Sequence, residues 1–178
     1  MGTYIYAKLI EAEPFINRVR EAGQYSQSGP EQDAFFEAEI NPVDDEIRLS
    51  STGNAYEFTD VCNEIRTCLP EQFLTNLEVF LATLLPSLLG KADVCVTPYY
   101  AELKKLELTG CILDNEEVKR TKAESDFLRF LKAERETIAH RIKSSLQKID
   151  SFIEYMTKCV RILDLAIERE CGLLIYIL

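Results

Sequence analysis

Residues 142–167 read IKSSLQKIDSFIEYMTKCVRILDLAI, and this stretch decides the architecture. Its apolar residues recur on a seven-residue period in two interleaved series. Ile142, Ile149, Met156 and Leu163 form the first; Leu146, Ile153, Val160 and Ile167 form the second. Alternating steps of three and four put all eight on one stripe of an α-helix. The stripe lies within a longer tract, Cys111 to Cys171, that contains neither glycine nor proline. Asp114 and Glu117 stand as an N-cap and its reciprocal third residue, and Gly172 stands where a C′ residue belongs. The tract predicts a long helix over 114–171.

Such a helix, unbroken, would be roughly 85 Å long at 1.5 Å per residue, against about 40 Å for the width of a compact domain of this size. It must therefore break, project or pair with another chain. A break is expected near 120–126, where Thr121 and Glu124 form a second capping-box pattern and Val118 is the only large apolar residue between Asp114 and Asp126. Traced backwards, the stripe meets Ala139, Arg135 and Lys132 where apolar residues are wanted. Phe152, Tyr155, Ile162, Leu165 and Ala166 lie off it. An apolar surface that wide suits a helix packed in its own core; a self-associating helix, and hence a homo-oligomer, is the alternative.

Outward from the helix, the pattern predicts a sheet. Residues 3–10 are β-branched and aromatic and read as a strand. Pro14 opens a short helix through Phe15, Ile16 and Val19, closed by Gly23. Alternation then predicts a three-stranded meander: Phe36 to Ile40, Ile47 with Leu49, and Tyr56 with Phe58. Beyond it, Thr59 or Asp60 caps a short helix through Val61 and Ile65, and Pro70 opens another through Phe73 to Leu88 that Gly90 ends. Val94–Thr97 reads as a buried strand and Pro98–Leu106 as a helical turn. The segment 172–178 is too apolar for a free tail, and reads as a strand finishing the sheet or as an interface. The expected fold is α+β in a single domain, 1–178, with an acidic α+β part (1–113), a long helix (114–171) and an apolar final segment (172–178).

Composition narrows the function classes. The chain has 178 residues, 47% of them hydrophobic, enough for a substantial core. Its net charge of −10 is unevenly spread. Residues 1–110 hold 8 Lys/Arg against 18 Asp/Glu, while residues 111–178 hold 12 against 12. The acidity belongs to the first part, which disfavours nucleic acid and anionic lipid and favours a basic partner. The N-terminus lacks the basic and apolar regions of a signal peptide, and no apolar run approaches the ~20 residues of a membrane span. Six cysteines without CxxC spacing read as reduced thiols, placing the protein in the cytoplasm.

Candidate sites are few. On the predicted meander, Glu37, Glu39, Glu46 and Glu57 share one face with only Arg48 for balance, and Asp44 and Asp45 lie at its edge. Like charges on adjacent strands cost stability, so the face is the candidate surface for a basic protein. Glu136 and His140, one helical turn apart, are a weak metal candidate, because a site needs three or four ligands. The chain lacks GxSxG, P-loop, GxGxxG and HExxH motifs, and no cofactor is expected. The basic residues Arg129, Lys132, Arg135, Arg141, Lys143 and Lys148 are spread around their helix, as on a solvated face. These features point to a non-enzymatic interaction protein: an acidic inhibitor, immunity or adaptor protein. The alternatives are a small enzyme or ligand sensor with a pocket between sheet and helices, and a structural subunit assembled through the long helix.

Overall fold

The computed structural model describes residues 4–23, 47–84, 103, 106 and 110–177. Strand β1 (Tyr4–Ile10) leads into helix α1 (Ala12–Gly23). Strand β2 (Ile47–Ser51) runs straight into α2 (Thr52–Ile65), and α3 (Glu71–Leu84) follows a short turn. Strand β3 (Gly110–Leu113) precedes α4 (Asn115–Ala123), a 3₁₀ turn at Glu124–Asp126 and α5 (Phe127–Ala139). The longest element, α6 (Leu146–Glu168), delivers the chain to strand β4 (Gly172–Ile177). The fold is α+β, with a four-stranded antiparallel sheet ordered β2-β1-β4-β3.

Period-two alternation sends side chains of each strand to opposite faces of the sheet. Ile5, Ala7, Leu49, Cys111, Leu113, Leu173 and Ile175 face one way, onto α2 through α6. Ile10, Ile112, Leu174 and Tyr176 face the other, onto Phe15, Ile16, Val19 and Ala22 of α1 and onto Leu103 and Leu106. The sheet is thus covered on both sides, which explains the apolar run of β4: its first five residues are all buried, and it sits between β1 and β3. The 172–178 segment completes the sheet through Gly172–Ile177.

The third meander strand is not formed. Tyr56 and Phe58 lie in α2, because Phe58, Val61, Cys62 and Ile65 recur at helical spacing and are all buried together. Ile47 and Leu49 fall on β2 as expected. The Phe36–Ile40 and Val94–Thr97 strands, and the end of the third helix at Gly90, lie outside the described residues.

The glycine-free tract is three helices. The 3₁₀ turn at Glu124–Asp126 interrupts it where a break was expected, but Thr121 caps nothing. Its side chain is buried, and its hydroxyl donates back to the Glu117 carbonyl at 2.8 Å. A fuller break falls at 140–145, between α5 and α6. Ser145, with extended backbone, accepts the Lys148 N–H and caps α6. Ile142 therefore lies in the connection and opens no helical stripe. At the far end Glu170, not Gly172, takes the left-handed conformation, with φ 52°. Its N–H donates to Ile167 O and that of Cys171 to Ala166 O, the paired bonds of a Schellman close. Gly172 instead pairs with Ile10 in the sheet.

The capping box of α4 forms as its spacing predicts. Glu117 N–H donates to Asp114 Oδ1 at 2.9 Å, and Asp114 N–H donates to Glu117 Oε2 at 3.1 Å. Burial raises the Glu117 carboxyl above its ordinary range; the Asp114 N–H opposes this, and the Asp114 charge adds to it. Because the folded-state value is raised, the associated stability is present below the ordinary carboxylate range and lost as pH rises through the folded value. Glu117→Gln keeps an acceptor and cannot ionise. It is expected to match or exceed the wild type at pH 7, with the gap closing toward pH 4. Asp114→Ala is expected to lose about 1 kcal/mol. Urea unfolding at both pH values checks the pair.

Candidate functional site

Of the acidic face, Glu57 is described, and it does not join the sheet. It is exposed on α2, a consequence of the helical spacing of Phe58, Val61 and Ile65. Glu37, Glu39, Asp44, Asp45 and Glu46 lie outside the described residues. Arg48, the cation assigned to that face, is exposed on β2 with its guanidinium 4.2 Å from the centre of the Tyr4 ring. That ring contact holds the charge on β2.

Half of the helical stripe is buried within the chain. Ile149, Ile153, Met156 and Leu163 are buried, while Leu146, Val160 and Ile167 are half-buried. The off-stripe residues Phe152, Tyr155, Ile162 and Ala166 are buried as well, so α6 packs on more than one side. Ile142, in the connection, and Ile167 pack on the margin of the same core. Between α2 and α6, Phe58 meets Phe152 and Tyr155 at ring separations of 5.8 and 5.2 Å. Phe80 meets Phe127 edge-on at 5.4 Å.

An open groove of about 400 Å³ lies where α2 meets the α5–α6 connection. Asp60, Asn63 and Glu64 of α2 line one side; Lys143, Ser144 and Lys148 line the other. A helix N-terminus carries partial positive charge and invites an anion. Here the chain supplies its own: Glu64 Oε2 accepts the Ser144 N–H at 2.8 Å. That bond, with the Lys143 charge adding to it, holds the Glu64 carboxyl below its ordinary range. That bond ties the end of α2 to the α5–α6 connection. Sequence reasoning missed it because the two residues lie 80 positions apart, with no motif linking them. Nearby, Arg135 reaches across from α5 to both carboxylate oxygens of Asp150 on α6, at 2.7 and 2.8 Å. The pair is exposed, so it orients the two helices more than it stabilises them.

His140 follows the last turn of α5 and is exposed, as is Glu136. No group of three or more His, Cys, Asp or Glu that could hold a metal occurs among the described residues. The pair has no third ligand there. Nor, among the described residues, is any helix long and apolar enough to cross a membrane.

The described cysteines are free thiols. Burial pushes Cys62 up to about 11, against the opposing pull of Arg66. It pushes Cys159 up to about 12, although the Tyr155 hydroxyl hydrogen-bonds its sulfur. Cys111 is fully buried on β3. A thiol reacts as its thiolate, so Cys62 and Cys159 are poor nucleophiles at neutral pH, and burial shuts Cys111 away from reagents. Iodoacetamide at pH 7.5 is expected to reach the half-exposed Cys68 and Cys171 first, and to modify Cys62, Cys111 and Cys159 only after denaturation. Peptide mass spectrometry reads the order; early labelling of Cys159 would contradict the packing of α6.

Comparison of the chain with known protein families, with curated proteins and with solved structures finds no match.

Proposed function

We propose that the chain is a non-enzymatic interaction protein that engages a basic protein partner through its acidic first part, as an inhibitor, immunity or adaptor protein would. One observation carries this reading. Between Arg20 and Arg48 the chain has eight Asp/Glu and no Lys or Arg, and Glu37, Glu39, Asp44, Asp45 and Glu46 stand within that interval. Charge of one sign at that density attracts a cationic surface and speeds the encounter with it. The frame on either side supports the reading: α1 is packed on the sheet up to Ala22, and β2 begins at Ile47 already paired with β1. Both ends of the acidic interval are thereby held to one sheet. The described thiols are free, the state that a reducing compartment such as the cytosol maintains.

Affinity capture tests the proposal, using the intact chain beside the variant Glu37→Lys, Glu39→Lys, Asp44→Lys, Asp45→Lys. The expected outcome is a basic protein retained by the wild type, released as salt rises, and missing from the variant. With the captured protein purified, its association rate at low salt is expected to fall at least about tenfold for the variant. Circular dichroism melts of the two should coincide. If no partner is lost on reversal, the proposal fails.

A further inference from the structure

We draw no further inference here: the strongest candidate, the groove between α2 and the start of α6 lined by Asp60, Asn63, Glu64, Lys143, Ser144 and Lys148, carries nothing because the helix N-terminus within it is already met by the chain's own Glu64 carboxylate and nothing in the structure points to a ligand there.

Discussion

Truncating Phe152 to alanine is expected to lower the free energy of unfolding by about 3–5 kcal/mol. Phe152 is fully buried on α6. Its ring meets Phe58 of α2 at 5.8 Å, nearly edge-on, and Tyr155 meets the same Phe58 ring at 5.2 Å. Three rings therefore join α2 to α6. Alanine removes the central apolar area and leaves a void bounded by helices that the sheet holds in place, so collapse is limited. In a chain of this size each kcal/mol moves the melting temperature by about 2–4 °C, so the drop should be roughly 10 °C. Phe58→Ala should couple to it in a double-mutant cycle, because the two rings touch. Urea unfolding followed by circular dichroism measures both effects. A loss below about 1 kcal/mol would mean that the rings do not carry the α2–α6 contact.

The second large effect belongs to Gly110. A Cβ there would lie 2.5 Å from the carbonyl oxygen of Ile175 and 3.0 Å from the Cβ of Tyr176. Gly110 pairs with Tyr176 in the β3–β4 ladder, so the obstacle is the backbone of the partner strand and has no rotamer to turn aside. Gly110→Ala must bow the strands apart. The expected cost is about 3 kcal/mol, at the upper end of ordinary overpacking. Gly172 is as tight, with a Cβ meeting Leu113 O at 2.6 Å and the Ala12 Cβ at 2.9 Å. Amide hydrogen exchange gives the specific readout. Protection of Cys111–Leu113 and Leu173–Ile175 should fall in Gly110→Ala, whereas protection along α6 should fall only to the new global limit. Unchanged exchange in β3 would refute the close approach.

What could be read from the sequence was local. Tyr4–Ile10, the helix opened near Pro14, the helix after Pro70 and the Asp114–Glu117 box all rest on residues within a few positions of one another, and all formed. The failures have different physical origins. Tyr56 and Phe58 alternate over too short a window to fix a period; Phe58 also begins the helical series with Val61 and Ile65, and their shared burial decided for the helix. The break at 140–145 carries no glycine or proline to announce it. It rests on a serine cap and on Glu64, a partner supplied by a different helix. The helix close fell two residues early, since Glu170 accepts a left-handed backbone that glycine adopts more easily. The sheet order joins strands far apart in sequence, which periodicity does not encode. For the candidate site, only Glu57 is among the described residues, and it lies on α2 and not on the predicted third strand, while the charge of the Arg20–Arg48 interval does not depend on it.

The pairing of β1 with β4 also sets a timetable. Ile10 finds its partner at Gly172, which is 162 residues later in the chain (172 minus 10). During synthesis β1 and β2 can pair once residue 51 has emerged, but the other edge of β1 must wait while every helix is made. An edge held open that long is where a growing chain is most prone to pair wrongly. Closing it also spends the entropy of a very long loop in one late step, so folding should be slow for a protein this rich in helix.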